Sequence, residues 1–411
     1  MKPSDPVRPA PYGTPGEPFF DERGVLHLTS YADVTEITRR ERRGQFTVAF
    51  SVVRKGLEKY GITVPDPVHV AWQFPWAQGT VEADGSPGRH AVLHGVLAEY
   101  LGKQAVRDLR PTMVEIADRL VRENVEHELA QGGTVGTIDL AWFTDLLAFR
   151  SISALVGFPR TPAAEAFMMS HLEEYNSRAD LIEGMRPEAP EVREYFQSIV
   201  DGHRGDGLLG RIIAAHSTGQ ITLDERDALM WGCWSAGRDT SATLTALLFG
   251  LVDEVGAVST MVANLGDDGA DWRAEAINEA LRFTPFGTSF RTSVENVVLD
   301  NGVTVPEGTQ LHLHWDAANR DPSVFGQDAG EFRPDRGVPR QNLSFGHGMH
   351  YCLGAPVALA EADIAAVAVY GALPGLAVTK WHRLARLTDV VATAEAEYDL
   401  PAAARALGLA A

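Results

Sequence analysis

The feature that most constrains this chain is a helical pattern that begins at Thr222 and runs without a proline to about Val255, unusually long for a globular helix. Thr222 and Glu225 have the spacing of a capping box, in which each side chain satisfies the other's backbone donor. In its middle, Ala236-Gly237-Arg238-Asp239-Thr240-Ser241 sets a charged pair and hydroxyls into otherwise apolar turns. Burying a charge is costly unless it has a partner or a task. Gly237 removes a side chain where another molecule can lie against the backbone, and Thr240 can hydrogen-bond to the preceding turn and open it. The plainer alternative is a helix face turned to solvent at that point.

Helical periods dominate from about His90 to Val255, broken near Gly132–Gly136, Pro159–Pro162 and Gly202–Gly210. A further helix is expected over roughly Trp272–Phe283. Short strands are expected at Val294–Leu299, Val303–Val305 and Gln310–Trp315, while Gly24–Val34 reads as a strand followed by a helix start. After a long loop ending at Gly354 comes an apolar, alanine-rich helix to about Gly371. No internal repeat and no linker separates two cores. The expectation is therefore a single large domain over residues 24–411, mainly α with a small β part. Residues 1–23 read as an irregular arm, with six prolines before position 19.

Charge narrows the functions. With 36 basic and 55 acidic residues the net charge is −19, against a nucleic-acid partner and against docking on an anionic membrane. The start lacks the apolar run of a signal peptide. The uncharged stretches Ala228–Gly237 and Thr240–Val252 fall short of the ~18–20 residues that span a bilayer. Two cysteines, Cys233 and Cys352, form no disulfide framework and suit a reducing cytosol. A cytoplasmic monomer is expected.

One of those cysteines has unusual surroundings: Phe345-Gly346-His347-Gly348-Met349-His350-Tyr351-Cys352-Leu353-Gly354. Cys352 stands where a glycine-rich loop meets a helix. Gly346 and Gly348 permit backbone angles closed to other residues and let the chain approach something bulky. A helix N-terminus favours the thiolate, the form that binds metal, and loop amides can point at the sulfur and tune it. Zinc held by His347, His350 and Cys352, with His312 or His314 contributing, is a rival use of the same residues.

This decapeptide resembles the haem-binding loop of the cytochrome P-450 family, matching Phe-x-x-Gly-x-His-x-Cys-x-Gly at every defined position. The resemblance implies the P-450 fold, a single domain enclosing haem b (iron protoporphyrin IX). It makes Cys352 the iron's axial ligand, packs Phe345 beside it, sets Gly346 and Gly354 in the cofactor loop and brings His350 to a propionate. The central helix matches the family's Ala-Gly-x-Asp-Thr pattern, which implies that Thr240 steadies activated oxygen while Asp239 helps deliver protons from water. Arg238 fills the variable slot without an assigned role. By the same resemblance, Glu279 and Arg282 form a buried Glu-x-x-Arg pair locked to Arg336, and Arg291 binds a propionate. His90 stands where soluble members tend to keep a histidine, and His94 replaces the arginine usual four residues on. The likeness runs from about residue 24 to the C-terminal helices, and is weakest at Asp66–Arg89 and Gly132–Gly210.

Gly232, Ser235 and Ala236 share a helix side with Asp239, and by resemblance that side faces the space above the iron. Gly287 and Thr288 are expected in the pocket wall, with Trp72, Phe74 and Trp76 as an aromatic lid. Such small, partly polar walls imply a roomy pocket for a bulky secondary metabolite or its precursor. The chain has no phosphate-binding glycine loop for NAD or flavin. Electrons for O2 are thus expected from a separate ferredoxin and ferredoxin reductase, with Lys103, Arg107 and Arg110 as a basic docking stripe. The function read from the sequence is monooxygenation of a small organic substrate, by hydroxylation or epoxidation. The alternatives are oxidative cyclisation, coupling or desaturation by the same oxidant, or a non-catalytic helper of this fold.

Overall fold

The computed structural model describes residues 15–48, 88–178, 190–284, 289–337, 341–384 and 390–409. Its helices of eight residues or more, among the described residues, are α1 (Tyr31–Arg40), α2 (His90–Leu97), α3 (Lys103–Gln131), α4 (Leu140–Val156), α5 (Pro162–Arg178), α6 (Pro190–Gly202), α7 (Gly207–Ser217), α8 (Leu223–Glu254), α9 (Ala270–Phe283) and α10 (Ala355–Ala372).

The long helix α8 is the axis of this arrangement. Thr222 Oγ1 accepts from the Glu225 amide at 3.1 Å, and Glu225 returns a carboxylate oxygen to the Thr222 amide at 2.8 Å. Arg89, just ahead of α2, forks onto the same Glu225 carboxylate at 2.7 and 2.8 Å and ties α2 to the start of α8. Beyond its first turn α8 is buried on nearly all sides, as a helix at the centre of a large domain must be. It packs on α4, α7, α9 and α10. Gly237 makes the α4 contact close: a Cβ there would lie 2.6 Å from Ile152 Cγ1. The glycine expected to leave room for another molecule leaves room for a neighbouring helix.

Helix α10 has the length and apolar composition of a membrane span, but 67% of it is buried inside the protein, against α3, α8 and α9. One acid lies within it. Glu361 is 1% exposed, neither of its oxygens has a well-formed hydrogen bond among the described residues, and burial pushes its carboxyl up to about 8 despite the hydroxyls of Ser241 and Ser151.

The β part has strands β1 (Phe19–Phe20), β2 (Leu26–Leu28), β3 (Phe46–Thr47), β4 (Val135–Asp139), β5 (Ser289–Ser293), β6 (Val297–Val298), β7 (Thr304–Val305), β8 (Gln310–Leu313), β9 (Ala377–Leu384) and β10 (Val390–Asp399). A five-stranded sheet has the order β1-β2-β8-β5-β3, a three-stranded sheet β4-β10-β9, and β6 pairs with β7. Helix α1, capped by Ser30, buries Val34 and Ile37 with Leu26, Leu28, Phe46, Leu311 and Leu313 of the larger sheet. The expected strand Val294–Leu299 is reduced to Val297–Val298. The strand before it, Ser289–Ser293, carries Arg291 and was not expected from its polar composition. The sheet's edge begins at Phe19, inside the segment read as an arm.

Candidate active site

The loop that ends at α10 is fixed from three sides. The Cys352 amide donates to the Phe345 carbonyl at 2.8 Å, and the Gly346 amide donates to Leu343 O at 2.8 Å. Asn319 accepts from the Leu343 amide at 2.7 Å and donates to Ser344 Oγ, while Ser344 donates to Leu281 O of α9. Gly346 and Gly348 have φ of 75° and 77°, and a Cβ at Gly348 would meet the Thr38 carbonyl at 2.7 Å. These two glycines serve tight packing of the loop on α1 as well as its turn.

Cys352 opens onto a cavity of about 590 Å³ whose lining includes Arg42, His90, His94, Gly348, Tyr351 and Leu353. Burial pushes its thiol up, and the amides of Gly354 and Ala355 pull it down without cancelling that rise.

Cationic and imidazole groups gather near this cavity. His90 meets His350 edge-on with ring centroids 4.3 Å apart and lies 5.4 Å from His94. Burial, with His350 nearby, holds His94 below the usual histidine range. Arg291 is 3% exposed, and its Nε lies 2.7 Å from Glu41 Oε1 without hydrogen-bond alignment. His350 Nε2 is 3.4 Å from the same oxygen. Burial pushes the Glu41 carboxyl up, but Arg291 and His350 outweigh it, so it sits below the usual carboxylate range. Glu41 had one signal in the sequence, an acid inside Arg39-Arg40-Glu41-Arg42-Arg43.

The middle of α8 opens in two places only among its central residues 228–252: Ala236 and Thr240, one turn apart, are exposed while their neighbours are buried or half-buried. Thr240 Oγ1 donates back to the Ala236 carbonyl at 2.7 Å. Gly232 and Ser235, expected beside Ala236 in a pocket wall, are buried. Arg238 acquires a clear position: its buried guanidinium reaches Asp145 of α4 at 2.5 Å and Asp239 at 3.0 Å. Asp145 was legible as an acid among apolar residues of α4, but its partner was not.

Behind the site, Arg282 forks onto Glu279 at 2.7 and 2.8 Å and donates to the carbonyls of Asn319, Ala329 and Glu331. Arg336 adds a contact to Glu279 at 2.9 Å and reaches Asp328. With both guanidinium groups satisfied by carboxylates and carbonyls, the buried charges are compensated.

A thiol lining a cavity with two amides towards its sulfur, and three imidazoles with Arg42 and Arg291 close by, is a donor set that fits an iron porphyrin with anionic side chains. The zinc alternative is not formed. His347 Nδ1 is held 2.7 Å from Thr38 Oγ1, and among the described residues the group whose metal-capable atoms converge is His27, His312 and His314.

The sequence profile described as Cytochrome P450 matches residues 274–369. Mycinamicin IV hydroxylase/epoxidase of Micromonospora griseorubida is 30% identical over 299 residues, 71% of this chain and 71% of that one. The chain belongs to the cytochrome P450 family. A second relative, 6-deoxyerythronolide B hydroxylase of Saccharopolyspora erythraea, is 27% identical over 307 residues, 71% of this chain and 70% of its own. Among solved structures, CalO2 aligns with a TM-score of 0.74 over 93% of this chain and 92% of its own, at 21% identity. P450BioI in complex with hexadec-9Z-enoic acid ligated acyl carrier protein aligns at 0.75 over 91% and 92%, at 18% identity, a likeness of fold.

As a P450 monooxygenase the protein carries haem iron, and the helical domain with small sheets is the P450 fold. Trp72, Phe74, Trp76, Gly287 and Thr288, expected to line the substrate pocket of this P450, lie outside the described residues. Of the basic stripe on α3, Arg110 is paired with Asp363 at 2.6 Å and Arg107 with Gln104, while Lys103 is exposed.

Proposed function

We propose that this P450 uses haem b to hydroxylate or epoxidise a bulky secondary metabolite or its precursor, with electrons from a separate ferredoxin and ferredoxin reductase. The observation that carries the reading is the opening at Ala236 and Thr240 in an otherwise buried helix, combined with a cysteine thiol that lines a cavity. The names of two relatives, which record hydroxylation and epoxidation, favour insertion of oxygen over coupling.

When bound, the haem supplies oxygen activation, with thiolate ligation providing the electron push. Cys352 would hold it from one side, while His90, His94, His350 and Arg291 would meet its carboxylates. Thr240 would offer the bound group a hydroxyl, whose proton rests on the Ala236 carbonyl at 2.7 Å. Asp239 is held by Arg238 at one oxygen and keeps a fifth of its side chain exposed. It can therefore take a proton from water and pass it towards Thr240.

The test is the carbon monoxide difference spectrum of dithionite-reduced protein, followed by substrate-binding spectra and turnover with a surrogate ferredoxin pair. A long-wavelength Soret band, lost in Cys352→Ala, and oxygen insertion into a large substrate are expected. Turnover that yields only coupled or desaturated product would overturn the insertion reading.

A further inference from the structure

One sheet face carries a row of aromatic and imidazole rings that the P450 reaction does not use. In β2, Leu26 and Leu28 point into the core at 0% exposure, so His27 between them faces the other way. Register then lines up a row across four strands: Phe19 opposite His27, His27 opposite His312, and His312 opposite Phe290. His314 lies two residues further along the face of His312, and their ring centroids are 4.0 Å apart.

The three imidazoles converge. His27 Nδ1 lies 2.9 Å from His314 Nε2, and one ligand-capable nitrogen from each of the three lies within 4.8 Å of the others. His312 Nε2 is buried and has no hydrogen-bond partner among the described residues. On its far side His27 Nε2 faces Asp21 Oδ2 at 3.4 Å, and the amides of Arg23 and Val25 hold that carboxylate in place. A carboxylate behind a histidine whose other nitrogen faces the site is the usual support for a metal-binding imidazole.

We propose that His27, His312 and His314 bind one divalent transition-metal ion of the zinc class, with Asp21 orienting His27. Nitrogen ligands at about 2.0–2.1 Å from a tetrahedral ion stand about 3.3 Å from one another. The 2.9 Å pair opens by a few tenths of an ångström and the widest pair closes by about 1.5 Å, a side-chain adjustment. His312 is half-buried, which leaves a side for water as fourth ligand. The ion would pin β2 to β8 and the start of the helix Trp315–Ala318, joining segments far apart in the sequence.

The test uses haem-loaded protein stripped with a chelator and dialysed against zinc. Wild type is expected to retain one zinc per chain by elemental analysis, and His312→Ala and His314→Ala to lose it while keeping the haem–thiolate spectrum. Asp21→Asn is expected to weaken zinc binding about 10–100-fold. In wild type alone, zinc should protect His312 from diethyl pyrocarbonate, read by peptide mass spectrometry, which keeps the proposal testable where a variant does not fold. No zinc uptake by wild type, uptake unchanged in His312→Ala, or absence of protection overturns it.

Discussion

Arg238 and Asp145 meet at 2.5 Å across the α4–α8 contact, and the same guanidinium grips Asp239 at 3.0 Å. The acid of the central motif is thus anchored through its neighbour to a second helix. Arg238→Met leaves two carboxylates without their shared cation. We expect a loss of about 2–3 kcal/mol, below the roughly 3–5 kcal/mol typical of fully buried pairs because both carboxylates keep some solvent. Adding Asp145→Asn to that variant should recover part of the loss, measured as a double-mutant cycle in denaturant unfolding. Strict additivity would show that the pair is not coupled.

Glu361 makes stability depend on pH. Its folded carboxyl titrates near 8, against an ordinary value of 4.5, so between these values the folded protein holds a proton that the unfolded chain has released. Stability therefore falls as pH rises through this window. Glu361→Gln removes the effect: relative to wild type it should gain nothing near pH 4 and about 5 kcal/mol well above pH 8. Melting curves at both ends of the range check this.

Glu41 behaves in the opposite sense. Its carboxyl is held below the ordinary 4.5, so its stabilisation is complete above that value and is lost as pH falls through the folded one. Glu41→Gln should flatten the acid side of the stability profile. If Arg291 and His350 meet a propionate as proposed, it should also destabilise haem-free protein more than haem-loaded protein, because the propionate would bring them a replacement anion. Equal losses in the two forms would show that no such replacement occurs.

Gly237 predicts a steric pair. A methyl group there falls 2.6 Å from Ile152 Cγ1, so Gly237→Ala should cost about 1–3 kcal/mol. Ile152→Val or Ile152→Ala beside it should restore part of that, read from melting temperatures of the single and double variants.

Much of the fold was legible because its signals are local. The capping box at Thr222, the proline-free run behind it and the alanine-rich helix after Gly354 each declare themselves within a few residues. The decapeptide around Cys352 did so for the site. Contacts between distant segments were not legible. Arg238 had no visible partner, since Asp145 lies 93 positions away and only packing of α4 on α8 brings them together. His312 and His314 entered the sequence reading only as possible contributors to a zinc site at Cys352, whereas strand register groups them with His27. Ser289–Ser293 lacks the apolar alternation of a strand because its buried end holds Arg291, Thr292 and Ser293, whose polar groups are answered by neighbouring residues.

Arg89 and Glu225 carry a further consequence. The carboxylate that closes the first turn of α8 is also the mooring of the helix bearing His90 and His94. Fourteen residues separate Glu225 from Asp239, about 21 Å along a rigid rod. Withdrawal of α2 from the cavity's edge would unfasten the rod's own end. The helix that carries His90 and His94 and the helix that carries Asp239 and Thr240 are therefore indexed to one fixed point, the carboxylate of Glu225.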